Sequence, residues 1–214
     1  MNIRFTLISD GSSDRTLLHI VRWLMNDLYP NVTIETEYAD FRVFVNIPKT
    51  FAEKIKVAKV YYPYDVLLIH RDAERNTKDI IEIRSNEIKE DLSLEDQQNL
   101  VCIVPVKMME SWLLFDVEAI KLAAGNRHYP KEIKLPSYKT MESYNQPKDF
   151  LHRTLREVSG LTKRRLQNFN AHKSVHDLAD FIEDYSPLRS LNSFKEFEKS
   201  FLSVCQPLGV GDNA

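Results

Sequence analysis

IRFTLISDGSSD, residues 3–14, passes directly from an apolar run into a polar turn. The run Ile3–Ser9 is short and rich in residues that favour strands, which predicts a buried β-strand. The segment Asp14–Tyr29 then carries apolar residues at helical spacing, Leu17, Leu18, Val21, Leu24 and Leu28. This spacing predicts an amphipathic helix, so the chain is expected to open as strand, tight turn and helix.

The same order of elements recurs twice further along the chain. The apolar run 65–70, DVLLIH, precedes a helical pattern at 79–90, and the run 100–106, LVCIVPV, precedes one at 117–124. Strands that alternate with helices predict an α/β fold with a mainly parallel sheet flanked by helices. The remaining candidates are weaker strands at 33–34 and 41–45 and a helix at 51–62.

The second part of the chain has a different character. Residues 126–147 are polar and contain three prolines, and helical patterns follow at 148–159, 161–169, 174–184 and 191–204. We therefore predict an α/β domain at 1–125. We interpret 126–214 as an insertion or connection followed by a C-terminal helical region packed on that domain.

Composition excludes several classes of protein. With 43% hydrophobic and 28% charged residues among 214, the chain is neither disordered nor membrane-embedded in type. A net charge of −2 is not the usual electrostatic footprint of a nucleic-acid-binding protein. The two cysteines, Cys102 and Cys205, have no zinc or disulfide spacing, and the N-terminal residues lack the layout of a signal peptide. We expect a cytoplasmic protein without membrane association.

Acidic residues follow each of the three clearest strand patterns. Asp10 and Asp14 follow the first, Asp72 and Glu74 the second, and Glu110 the third. In parallel α/β sheets, active sites lie outside the carboxyl ends of the strands. Carboxylates gathered there repel one another unless a cation or basic partner neutralises them. Mg²⁺, which prefers oxygen ligands and can activate water at a phosphodiester, is the first candidate.

Each acid also has a structural interpretation that the sequence leaves open. Asp10 and Asp14 could cap the following helix. Residues two apart in an extended segment point the same way, so Asp72 and Glu74 could share one ion, or could lie in a solvated turn. Glu110 sits in an apolar stretch, where it is either functional or bonded to Lys107 or to backbone amides.

Basic residues supply candidates for contacts with phosphate. Arg71 and Lys107 lie beside the acids and could stabilise transition-state charge, and His70 is either a phosphate-positioning residue or a simple strand end. In the helical tail, Lys163, Arg164 and Arg165 could follow a nucleic-acid backbone. A solvated helical face balanced by nearby acids explains the same three residues equally well.

Four segments together resemble a known family. Residues 9–14, 71–74, 105–114 and 146–151 resemble a TOPRIM-like family of uncharacterised bacterial proteins that is often encoded near defence or mobile-element genes. The resemblance covers most of the chain, and its motifs are short and moderately specific. It implies a TOPRIM-like Rossmannoid fold with a C-terminal helical region.

The resemblance also implies roles for individual residues. Asp10 takes the place of the first-strand Glu of TOPRIM domains, and Asp72 with Glu74 takes the place of their Asp-x-Asp pair. Asp14 resembles the acid that OLD-type nucleases carry one helical turn later, and Glu110 resembles a further family acid. Asp10 is one methylene shorter than the usual Glu and Glu74 one longer than the usual Asp, so the charge is kept while the reach of each side chain is altered.

The implied activity is Mg²⁺- or Mn²⁺-dependent cleavage of DNA or RNA by a TOPRIM-type nuclease in an anti-phage or toxin-like module. The implied metal ligands are Asp10, Asp14, Asp72 and Glu74. The implied catalytic residues are Asp10, Asp72, Glu74, Glu110 and Lys107, with nucleic acid held by Arg71, Lys163, Arg164 and Arg165.

Other readings remain open beside the nuclease. The chain could be a catalytically degenerate TOPRIM subunit that binds a partner such as an ATPase, and a homo-oligomer is compatible with either role. A third reading is a phosphohydrolase that acts on small phosphate esters or nucleotides.

Overall fold

A single four-stranded sheet organises the molecule, and all of its strands are parallel. The computed structural model describes residues 2–90 and 92–208. The strands lie in the order β2-β1-β3-β4. Their bounds are β1 Asn2–Ile8, β2 Thr33–Tyr38, β3 Val66–His70 and β4 Leu100–Ile103.

Helices form the crossovers that parallel strands require. A 3₁₀-helix at Ser12–Thr16 leads into α1, Leu17–Leu28, which connects β1 to β2. The later crossovers contain α2, Phe51–Tyr61, then α3, Ile80–Glu90, and α4, Leu94–Gln98. After β4 come a 3₁₀-helix at Met109–Leu113 and α5, Val117–Ala123.

Side chains that alternate along each strand supply two separate cores. Phe5, Leu7 and Leu68 belong to the core on one face of the sheet. Ile8 and Ile69 belong to the core on the other face, where α2 and α3 pack. Helices cover both faces, which explains why every residue of β3 and β4 is buried.

The C-terminal helices pack on the first of these faces. Phe201 stacks on Phe5 of β1 with ring centroids 5.5 Å apart, and Trp112 Nε1 donates to Ser193 Oγ at 3.1 Å. These contacts join the tail to the sheet in one core. The helices are α6 Tyr138–Met141, α7 Pro147–Val158, α8 Lys163–Leu166, α9 Ala171–Phe181 and α10 Asn192–Cys205.

The predicted α/β class and parallel sheet are confirmed, and two local predictions are wrong. The segment 41–45 is not a strand: Phe41–Val43 is a 3₁₀-helix, started by Asp40, whose Oδ1 accepts from the Arg42 amide at 3.1 Å. The helix expected at 161–169 is limited to Lys163–Leu166.

Residues 209–214 of the predicted C-terminal region lie outside the described residues. Within the described part of the chain, no helix is long and apolar enough to cross a membrane.

Candidate active site

The strand order marks one place at the carboxyl edge of the sheet. From β1 the chain crosses to β2 on one side, whereas β3 and β4 lie on the other side. The connections therefore reverse direction between β1 and β3, and in open α/β sheets such a switch point is where ligands bind. The segments that follow β1, β3 and β4 all contribute side chains to this place.

His70, the last residue of β3, lies at the centre of the site. Its buried ring has Nδ1 3.1 Å from Asp14 Oδ2 and Nε2 3.2 Å from Asp72 Oδ1. A neutral imidazole donates from only one nitrogen, so two carboxylates favour the doubly protonated ring. Burial acts to lower the pKa of His70, but the hydrogen bonds and charges of Asp14 and Asp72 outweigh it and raise the pKa to about 9. His70 is therefore a buried cation at neutral pH.

Asp14 reaches His70 because the turn after β1 is tight. The Gly11 amide donates to Asp14 Oδ2 at 3.0 Å, and a Cβ at Gly11 would lie only 3.1 Å from that oxygen. Glycine at this position thus allows the close approach. Burial acts to raise the pKa of Asp14, but the hydrogen bond and charge of His70 and the Gly11 amide outweigh it and hold the pKa below 3.8.

Asp72 connects the end of β3 to the segment after β4. Its Oδ1 accepts from the Met109 amide at 2.8 Å in addition to facing His70. Glu110, the residue after Met109, is buried, and its Oε1 lies 3.6 Å from Lys148 Nζ of α7. Burial raises the pKa of Glu110, and the charges of Asp72 and Asp14 raise it further while Lys148 opposes them. Three strand ends thus deliver interacting carboxyl groups to one place.

Asp10 belongs to the same edge but faces solvent. Its side chain is 74% exposed, and its Oδ1 lies 2.6 Å from Nζ of Lys54, whose own side chain is only 10% exposed. Sequence reasoning missed Lys54. The signal that could have found it is its place on the apolar stripe of α2, beside Ile55 and Ala58, where a lysine needs a partner.

Other predicted site residues lie away from His70. Glu74 has a left-handed backbone with φ of 60°, so the extended geometry assumed for Asp72 and Glu74 does not hold. The Glu74 side chain is 71% exposed and lies 3.3 Å from Arg84 of α3. Arg71 pairs with Glu87 at 3.0 Å, and Lys107 Nζ lies 3.3 Å from Asn145 Oδ1.

The predicted nucleic-acid residues of the tail are separate from this site. Lys163, Arg164 and Arg165 are exposed on α8. No hydrogen bond or ion pair in the described part of the chain joins them to the carboxyl groups around His70. His70 therefore joins Asp14 to Asp72, and Glu110 interacts with both of these carboxyl groups. Asp10 pairs with Lys54 at the same edge, whereas the contacts of Glu74, Arg71 and Lys107 are with other residues.

The side chains at this site are of a type that binds Mg²⁺, but they are not arranged as an ion site. Carboxylate oxygens are the ligands Mg²⁺ prefers. Across residues 2–90 and 92–208, however, no three His, Cys, Asp or Glu side chains are placed so that they could hold an ion. Asp14 Oδ2 and Asp72 Oδ1 face the ring of His70 instead. As arranged here, the histidine balances one of the two carboxylate charges and engages the oxygens that a cation would bind.

Comparison with known proteins identifies no relative. The chain matches no described protein family, and no curated protein and no solved structure is significantly similar to it. The chemistry of the site follows from its own groups. Those groups are Glu110, a carboxyl of raised pKa that pairs with Lys148, and Asp14, a carboxylate of lowered pKa that faces His70. Carboxyl groups whose pKa values are pushed apart are suited to acid and base roles.

Proposed function

We propose that the chain is a metal-dependent nuclease of TOPRIM type that hydrolyses phosphodiester bonds. The observation that carries the proposal is the convergence of Asp14, Asp72 and Glu110, each from a different strand end, at the switch point of the parallel sheet. The resemblance of segments 9–14, 71–74 and 105–114 to TOPRIM-like proteins supports the same conclusion.

The residues take distinct roles under this proposal. Asp14 and Asp72 are the carboxylates that would hold Mg²⁺ or Mn²⁺, together with oxygens of the substrate phosphate and of water, and the ion would supply charge neutralisation and water activation. The exposed Asp10 pairs with Lys54 at the same edge. Glu110, whose pKa burial raises, would act as the general acid that protonates a leaving oxygen. Lys148 and Lys54 supply positive charge for the phosphate. Glu74 is left out of this set because it contacts Arg84 of α3.

A metal ion and the His70 ring would compete for the same carboxylate oxygens. Asp14 Oδ2 and Asp72 Oδ1 cannot serve His70 and a metal ion equally well. The proposal therefore predicts that replacing His70 with a neutral residue of similar size changes the affinity for Mg²⁺. Isothermal titration of the wild type and of His70→Gln measures that change, and equal affinities would contradict the proposal.

Cleavage assays test the activity itself. Plasmid DNA, single-stranded DNA and RNA are incubated with the wild type in Mg²⁺, in Mn²⁺ and in EDTA, and with Asp72→Asn. We expect cleavage of at least one substrate that needs the metal and is lost in the variant. Metal-dependent cleavage that persists unchanged in Asp72→Asn would assign the activity to a contaminant or to another site.

A second candidate function follows from the position of His70. Because an imidazolium bridges Asp14 and Asp72, it balances one of their two negative charges without a metal ion and engages an oxygen of each. This favours a catalytically silent subunit that binds a partner, such as an ATPase of a defence complex. Stable co-purification with an ATPase encoded beside it, together with no cleavage by the isolated chain or by the complex, would decide for this role.

The setting of either function is part of the proposal. We place the protein in the cytoplasm, in an anti-phage or toxin-like module, with DNA or RNA as its nucleic-acid partner. Self-association is compatible with both roles, and light scattering of the purified chain measures it.

A further inference from the structure

A cleft of about 430 Å³ opens beside the edge strand β2, apart from the carboxyl groups around His70. It lies between β2, α1 and α9, and Arg15, Arg22 and His176 line it. Arg15 directly follows Asp14, and Tyr38, which also lines the cleft, donates its hydroxyl to the Gly11 carbonyl at 3.1 Å. The cleft is therefore connected to the turn that positions Asp14.

Positive charge in this cleft exceeds the carboxylates available to balance it. Asp40 is engaged by Arg42, with Oδ2 2.6 Å from the guanidinium Nη2. Among the ion pairs of the described residues, none joins Arg15 or Arg22 to a carboxylate. Glu37 also lines the cleft, together with these two arginines. Among the described residues it has no ion pair.

Two histidines near these arginines have pKa values that are lowered first by burial and then by the positive charge around them. Burial lowers the pKa of His176, and the charge of Arg15 lowers it further. Burial also lowers the pKa of His19, and Arg22 lowers it further, although Asp180 lies 3.7 Å from its Nδ1 and opposes that effect. On α9, Asp177 is engaged by Lys173 at 2.9 Å. Cationic groups that disfavour one another's charge are stabilised by an anion placed between them.

We propose that the cleft lined by Arg15, Arg22 and His176 binds a phosphate group. Guanidinium groups present several donors in a planar fork that matches phosphate oxygens, which makes phosphate the anion of choice over a halide. A phosphodiester of a nucleic-acid strand and free inorganic phosphate share this chemistry. The site is distinct from the carboxyl groups around His70 and binds its anion whether or not those groups hydrolyse it.

Binding is measured in EDTA, so that it is independent of metal-dependent cleavage. Inorganic phosphate is titrated while the ring proton signals of His176 are followed by NMR, and a fluorescein-labelled single-stranded oligonucleotide is titrated by fluorescence anisotropy. The test variant is Arg15→Gln with Arg22→Gln. The matched control is Arg127→Gln with Lys131→Gln, which removes two exposed cations of the segment after α5.

We expect phosphate to shift the His176 signals, and the test variant to bind at least about tenfold more weakly, since one charge-assisted hydrogen bond contributes about that factor. The control should bind phosphate like the wild type. Binding of both probes identifies a phosphodiester site, and binding of inorganic phosphate alone identifies a site for the free anion. No shift, or equal weakening in test and control variants, overturns the proposal.

An opposite substitution protects the test against a variant that fails to fold. Glu37→Gln removes the facing carboxylate from an exposed position on β2. We expect it to strengthen phosphate binding by a few fold, because a like charge no longer opposes the anion. Unchanged or weaker binding in Glu37→Gln contradicts the assignment.

Discussion

His70 is the side chain that links the carboxyl groups at the ends of the strands. Its buried ring separates Asp14 from Asp72 and contacts both. Removing one member of a buried charge network leaves the others unpaired, and this is where single substitutions have their largest effects. The ring therefore matters for stability whichever function the site performs.

His70→Gln tests this role. We expect it to lower the free energy of unfolding by about 3 kcal/mol, because Asp14 and Asp72 lose their cationic partner. Urea denaturation measures the loss. Adding Asp14→Asn to His70→Gln should recover part of it, since one unpaired charge is then removed. A double variant as unstable as the sum of the two single variants would argue against a shared network.

The pH dependence of stability gives a second test of the same residue. The pKa of His70 is raised in the folded protein from 6.5 to about 9. A raised pKa contributes stability that is fully present below 6.5 and is lost as the pH rises through about 9. The difference in unfolding free energy between the wild type and His70→Gln should therefore shrink across this window. A difference that is constant or grows with pH would show that the ring is not charged.

At the scale of elements, the apolar patterns predicted β1, β3 and β4 and the helices α1, α2, α3 and α5, whereas α4 was not predicted and β4 ends at Ile103 and not at residue 106. Buried strands of a parallel sheet are continuous apolar segments, so composition alone identifies them. The convergence of Asp14, Asp72 and Glu110 was predictable from the strand-end rule, whereas the outward turn of Glu74 was not. A left-handed residue other than glycine is set by tertiary contacts, here with α3, and not by local preference.

A capping box begins α2. Thr50 Oγ1 accepts from the Glu53 amide at 3.2 Å, and the Glu53 carboxylate accepts from the Thr50 amide at 3.3 Å. Such a reciprocal pair satisfies two backbone donors at the helix start. It also fixes the first turn, from which Lys54 extends to Asp10.

Thr50→Ala should lower the free energy of unfolding by about 1 kcal/mol, because one of these amides loses its acceptor. Thr50→Ser retains the hydroxyl and serves as the matched control, with stability near that of the wild type. Urea denaturation of both variants checks the prediction. Equal losses in Ala and Ser would mean that the methyl group of Thr50, and not its hydroxyl, stabilises this helix.

At the scale of the whole molecule, the C-terminal helices complete the core on one face of the sheet. Phe197 and Phe201 of α10 are buried in the cluster that also contains Phe5 and Trp112. The segment after residue 125 thus contributes to the same apolar core as β1. Segments of a chain that share one apolar core are expected to unfold together.

Phe201→Ala tests this coupling. We expect a loss of about 4 kcal/mol in unfolding free energy, since the substitution opens a cavity beside Phe5, and a single transition by circular dichroism and by tryptophan fluorescence. Phe181→Ala, at a side chain that is 41% exposed, is the control and should change stability little. Two separate transitions would contradict a common core.

The most direct test of the central claim compares two acids in one turn. Asp72 contacts His70 and the Met109 amide at the switch point, whereas Glu74, two residues later, contacts Arg84. The rate of Mg²⁺-dependent cleavage is measured for the wild type, Asp72→Asn and Glu74→Gln. We predict that Asp72→Asn lowers the rate at least about a hundredfold, as does removal of a group that stabilises transition-state charge, and that Glu74→Gln changes it little. Loss of cleavage in Glu74→Gln with activity retained in Asp72→Asn would contradict the account.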